Sequence, residues 1–130
     1  MRSAATTERR RSRRYRPPTG FRPELRRAGL RGYFDGSLCK TCLNISEGGL
    51  RVILTRGVPE GSVLRARFGR HEVETRVRYA VPAGAYPGCW EAGLAYVNPA
   101  PEFRSWLRES LLRWSAPVLA QRRDAWGEAR

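Results

Sequence analysis

Two groups of residues have the types and spacing to hold a flat, anionic ligand. The first is the run Glu8-Arg9-Arg10-Arg11-Ser12-Arg13-Arg14, in which Arg10 and Arg14 form an R-x-x-x-R element with Arg11 beside it. A guanidinium offers a planar donor fork to a phosphate or a purine edge, and its plane also stacks on flat rings. Arg9 and Arg13 meet the same spacing, so both pairs remain open. The second group is Asn44-Ile45-Ser46-Glu47-Gly48-Gly49. Asn44 can close a turn onto its own backbone, and the Ser46 hydroxyl can bond locally in the same way. Gly49 permits positive φ and close approach of a ligand to the backbone. The same residue types build ordinary hairpin loops, so this group acquires meaning from the arginine pair upstream.

Other candidate chemistry is thinner. Cys39-Lys40-Thr41-Cys42 is a C-x-x-C that could join Cys89 and His71 around zinc. A structural zinc site normally uses a second close ligand pair, and residues three apart on a regular strand point to opposite faces. Small buried cysteines are the better reading, with no metal and no cofactor. His71 is the only histidine and sits at a hairpin, where exposure is expected. Asp35 and Asp124 are the only aspartates, one at a turn and one in the tail, and no nucleophile–base constellation forms around them. A binding protein rather than an enzyme is expected. Gly93, in an otherwise regular strand pattern, marks a close backbone approach near a ligand rim or a packing contact.

These residues need a scaffold, and 130 residues suffice for one domain with its own core. Three cysteines do not make a disulfide framework and suit a reducing compartment. No apolar run is long enough to cross a membrane, and no secretory signal is evident. A cytoplasmic location is expected. Formal net charge is +13, and all the basic residues but Lys40 are arginine. Residues 1–31 hold 11 Arg against Glu8 and Glu24, a net +9, while residues 32–130 carry a net +4. The division expected is a basic arm (1–31), a sheet domain with a capping helix (32–114) and a helical tail (115–130). Like charges as dense as those of the arm repel and keep it mobile until an anion neutralises them. Pro17, Pro18, Gly20 and Pro23 make residues 15–31 a poor strand.

From Gly32 onward the pattern is one of short strands. Leu50, Val52 and Leu54 alternate with other residues, as do Leu64, Ala66 and Phe68. The longest alternation places Val73, Thr75, Val77, Tyr79 and Val81 on one face, with Glu72, Glu74, Arg76, Arg78 and Ala80 on the other. Trp90 to Val97 reads as the last strand. Turn signals at Asp35-Gly36, 44–49, 58–61 and Gly69-Arg70 separate the strands and indicate an antiparallel sandwich or barrel. Phe103, Trp106, Leu107, Ser110, Leu111 and Trp114 recur at helical spacing, a stripe suited to packing on the barrel's open end. A second short helix is expected over Val118 to Trp126.

The arginine pair, followed some thirty residues later by N-x-S-x-x-G, resembles the PilZ domain family. Gly49-Leu50-Arg51-Val52 is similar to the family's strand after that motif, Glu91 to Val97 to its last strand, and Phe103 to Trp114 to its capping helix. The resemblance implies an all-β fold: a six-stranded antiparallel barrel capped by a C-terminal helix. It also implies a bacterial cytoplasmic receptor for the second messenger cyclic di-GMP. By that resemblance, Arg10, Arg11 and Arg14 grip guanine edges and phosphates, while Asn44, Ser46 and Gly49 contact the other guanine, with Gly93 near the rim. The partners implied are cyclic di-GMP and a protein that reads the arm, the chain itself being a monomer or a homodimer. Two other readings fit the same residues: a basic small barrel that binds nucleic-acid backbones through counterion release, and a scaffold that keeps the fold without the ligand.

Overall fold

The computed structural model describes residues 13–29 and 36–114. Its strands are β1 (Glu24–Arg27), β2 (Cys39–Ile45), β3 (Gly49–Leu54), β4 (Val63–Phe68), β5 (His71–Pro82) and β6 (Trp90–Val97), followed by helix α1 over residues 101–114. All neighbouring strands pair antiparallel in one sheet of order β1-β4-β5-β6-β3-β2. The sheet curls so that its two edges approach each other. The Leu38 amide donates to the Leu25 carbonyl at 2.7 Å, and the Ser37 hydroxyl accepts the Leu25 amide at 3.1 Å. The result is a curled six-stranded antiparallel half-barrel with a C-terminal helix, the barrel alternative of the two that the alternating pattern left open and the one that the family resemblance implied.

The inner face holds Leu50, Val52 and Leu54 of β3, Leu64, Ala66 and Phe68 of β4, Val73 and Val77 of β5, and Ala92 and Leu94 of β6. Thr75 is the polar member of this set; its hydroxyl donates to the Leu64 carbonyl at 2.8 Å and is thereby satisfied in the core. Gly69, at φ 65°, makes the β4–β5 hairpin, and Phe68 and His71 pair directly across it. Helix α1 closes one end of the barrel with Phe103, Leu107 and Leu111, each nearly fully buried. Phe68 lies against Phe103 (5.5 Å between ring centres) and Trp106 (5.4 Å), and Phe21 meets Trp114 edge-on at 4.8 Å. Aromatic groups of this kind supply much of the burial energy available to a small domain.

Four expectations are corrected. Residues 15–31 do contribute a strand. β1 needs four residues only, it follows Pro23 rather than containing it, and it lies at a sheet edge, where a neighbouring proline costs no ladder bond. Leu25, from the stretch read as arm, is wholly buried. Second, Cys39 and Cys42 do not face opposite ways. Register shifts between Cys39 and Thr41 and between Cys42 and Asn44 bring both thiols, with Ile45, into the core. Third, the β5 alternation is broken between Val77 and Tyr79. An extra residue there turns the strand over. Ala80 packs against the core, while Tyr79 and Val81 move to the outer face, where Val81 is 47% exposed. Fourth, His71 is half-buried, stacked on Trp106 at 5.1 Å between ring centres. The hairpin at Asp35 and the tail helix lie outside the described residues.

Candidate functional site on the outer face

The N-x-S-x-x-G segment spans the β2–β3 connection, with Asn44 at the end of β2 and Gly49 opening β3. The two ends of the segment have different roles. Ser46 is 3% exposed, and its hydroxyl accepts the amides of Gly48 and Gly49, each at 3.2 Å. It also lies 3.2 Å from the Gly49 carbonyl, to which the Ser46 amide donates at 2.8 Å. The hydroxyl is therefore committed to holding the turn. Gly49 does not use positive φ. Its role is steric: a Cβ at this position would overlap the Leu94 carbonyl of β6. The close approach read from the sequence is thus made by a strand of the same sheet.

Asn44 faces outward, and it is the residue that meets the arginine element. Arg14 Nη1 donates to Asn44 Oδ1 at 2.8 Å. Backbone bonds seat the arginine there. The Tyr15 amide donates to the Ile45 carbonyl at 2.7 Å, and the Ile45 amide donates to the Tyr15 carbonyl at 2.9 Å. This two-residue bridge continues the sheet beyond β2 and presents Arg14 beside Asn44. Arg9, Arg10 and Arg11 lie outside the described residues.

The register extends the row across the sheet. Asn44 pairs with Arg51 on β3, Arg51 with Gly93 on β6, and Gly93 with Tyr79 on β5. All four positions face outward. Gly93 is required because the Tyr79 ring occupies the place of its Cβ. Tyr79 Oη donates to Glu91 Oε2 at 2.9 Å, and Arg51 Nε lies 3.5 Å from the same oxygen. Burial, then the bond to Glu91, raises the Tyr79 hydroxyl above its ordinary pKa, so it stays a protonated donor at neutral pH. Gly93 thus joins Arg14 and Asn44 in one surface, whereas Ser46 and Gly49 support that surface from below. Arg51, Tyr79 and Glu91 were not singled out in the sequence. Arg51 could have been found as the outward residue beside Asn44; Tyr79 could not, because the bulge reverses the alternation that assigned it inward.

On the opposite face, burial pushes the Cys39 and Cys42 thiols up to about 12. Such thiols are neutral and unreactive, as expected of packing cysteines. Among the described residues no group of three or more His, Cys, Asp or Glu side chains is placed to hold a metal ion. No helix among them is long and apolar enough to cross a membrane.

An outward arginine beside an asparagine on a curled antiparallel sheet is the arrangement to set against known families. The PilZ domain family profile matches residues 8–113. The chain belongs to the PilZ domain family. Comparison with the curated proteins finds no match. Two solved structures share the PilZ fold with it. One is the PilZ domain with c-di-GMP of YcgR from Escherichia coli, at 17% identity and a TM-score of 0.53, covering 87% of this chain and 96% of that one. The other is YcgR in complex with c-di-GMP from Escherichia coli, at 18% identity and a TM-score of 0.56, covering 94% of this chain and 51% of that one.

Proposed function

We propose that this PilZ domain is a receptor that binds cyclic di-GMP on the outer face of its barrel, between the Arg14–Asn44 pair and the row running to Tyr79. The observation that carries the reading is the 2.8 Å bond between Arg14 and Asn44, which brings the two halves of the family's bipartite motif to one point. Membership of the family and the two YcgR structures with c-di-GMP support the choice of ligand.

The chemistry suits that choice. The ligand carries two phosphates and two guanines. Guanidinium groups pair with both kinds of edge, and a bidentate contact to guanine O6 and N7 is worth ~1–3 kcal/mol of discrimination. Arg14 supplies one fork at the rim, and Arg10 and Arg11 supply others from the preceding basic segment. Ordering that segment against an anion costs entropy, which several charge-assisted bonds must offset. In this reading the basic segment that precedes Tyr15 acts as a cytoplasmic signalling arm whose posture, set by the ligand, is read by a protein partner. The site binds rather than catalyses.

Calorimetric titration of the full chain with cyclic di-GMP, cyclic di-AMP and GMP tests the proposal. Saturable binding with preference for cyclic di-GMP is expected. No heat from a folded sample would remove the ligand and leave the fold. The +13 charge favours one competing reading, non-specific binding to nucleic-acid backbones. That mode should collapse between ~50 and ~200 mM salt and show no base preference.

A further inference from the structure

Arg51, Tyr79 and Glu91 form a polar cluster outside both halves of the family's bipartite motif. Both contacts to Glu91 fall on Oε2, from Tyr79 Oη at 2.9 Å and from Arg51 Nε at 3.5 Å. Oε1 takes no bond from the described residues. Arg51 Nε is buried and makes no hydrogen bond among them, its distance to Glu91 serving the ion pair only. The side chains of Arg51 and Glu91 remain 40% and 32% exposed, so both are reachable from solvent. Arg51 pairs with Asn44 across β2 and β3, and Glu91 lies on β6 two residues from Gly93, the partner of Arg51.

A guanidinium beside a carboxylate complements a guanine base. Guanine carries acceptors at O6 and N7, which suit arginine, and N–H donors at N1 and N2, which suit a carboxylate. Adenine reverses the pattern at the positions that matter. It has a donor at N6 where guanine has O6, a bare acceptor at N1, and no amino group at N2. A carboxylate facing that edge would meet a lone pair and lose its partners, which penalises binding more than a missing contact does. The bond from Tyr79 fixes the carboxylate, and the Tyr79 ring over Gly93 fixes the tyrosine.

We propose that Glu91 and Arg51 together read one guanine of the bound dinucleotide, with Glu91 the specificity-determining residue and Tyr79 its positioning residue. This rests on the cyclic di-GMP reading above and adds the source of its base selectivity.

The test uses the full chain and the variants E91Q, R51K and Y79F, with affinities for cyclic di-GMP and cyclic di-AMP measured by competition and thermal midpoints recorded for each. The expected result is that E91Q narrows the preference for cyclic di-GMP by about tenfold or more, as loss of a bidentate base contact does. Its thermal midpoint should stay close to that of the parent chain. R51K keeps the charge without the fork and should narrow the preference too. Y79F keeps the ring, releases the carboxylate, and should show a smaller loss in the same direction. If the parent binds cyclic di-GMP and both E91Q and R51K retain its selectivity, the inference is overturned; should either variant fail to fold, retained selectivity in the other overturns it. If the parent does not bind cyclic di-GMP at all, it is the preceding proposal that fails.

Discussion

Arg14 Nη1 stands 2.8 Å from Asn44 Oδ1, across thirty residues of chain. The bond is a consequence of backbone pairing: Tyr15 and Ile45 exchange two amide–carbonyl bonds, and the residues just before them are thereby brought together. An arginine held in this way loses less freedom on meeting an anion than one on a free tail, and pre-ordering of that kind favours affinity.

The first prediction concerns that pair. Both side chains are at least partly exposed, so removing either should leave the fold nearly unchanged. Hydrogen bonds to charged groups contribute roughly 1.5–3 kcal/mol, so R14A should weaken cyclic di-GMP binding about tenfold or more. N44A should weaken it less, because Arg14 keeps its backbone seat. Calorimetry with a parallel thermal melt separates the two effects; equal affinity in R14A and the parent would exclude Arg14 from the site.

Ser46 and Gly49 should behave differently, as stability positions. S46A leaves the buried amide of Gly49, and with it the more exposed amide of Gly48, short of an acceptor, at a cost of ~1–3 kcal/mol. G49A forces a Cβ into the Leu94 carbonyl and should cost more than S46A, since backbone of a central strand must shift. Urea unfolding at neutral pH reads both. A G49A protein as stable as the parent would show that β3 and β6 do not approach as closely as described.

Tyr96 offers a substitution with the opposite sign. Its hydroxyl is buried beside Cys42 and has no hydrogen-bond partner among the described residues, and burial raises its pKa far above the ordinary value. Deleting an unsatisfied buried hydroxyl removes a desolvation cost, so Y96F should be neutral or stabilising by up to ~1 kcal/mol. The ring's edge contact with Phe103, at 5.1 Å between centres, is kept. Clear destabilisation of Y96F in a thermal melt would mean that the hydroxyl has a partner after all.

The buried thiols set a pH dependence. Cys39 and Cys42 have folded-state values of about 12 against an ordinary 9.0, raised chiefly by burial. Above pH 9 the unfolded chain releases these protons while the folded chain retains them. The unfolded state then binds fewer protons, and stability must fall with rising pH between about 9 and 12. The stabilisation is fully present below pH 9. Urea midpoints across this window check the slope, and C39A/C42A should flatten it. A thiol reagent should label the half-buried Cys89 well before the other two.

Much of the architecture was legible because it depends on local pattern. Leu64, Ala66 and Phe68 alternate inward without interruption, Trp90–Val97 was bounded correctly by its turn residues, and the stripe from Phe103 to Trp114 has the period of a helix. Asn44 and Arg14 were legible as a candidate pair because their spacing matches the family's two motifs, and the structure brings them together. The roles of Ser46 and Gly49 were not, since a hydroxyl that closes a turn and one that binds a ligand look alike in a sequence.

The amino-acid order alone determined five of the six strands, the capping helix, the excess of arginine at the start of the chain and the two halves of the bipartite motif. Tertiary structure decided which way several of them face. The bulges at Cys39–Thr41, Cys42–Asn44 and Val77–Tyr79 each reverse an alternation, sending two cysteines inward and Tyr79 outward to Glu91. A bulge is set by how one strand must bend to keep its pairing with a neighbour distant in the chain. No window of the sequence contains both partners, so the direction of those side chains is fixed only when the sheet closes.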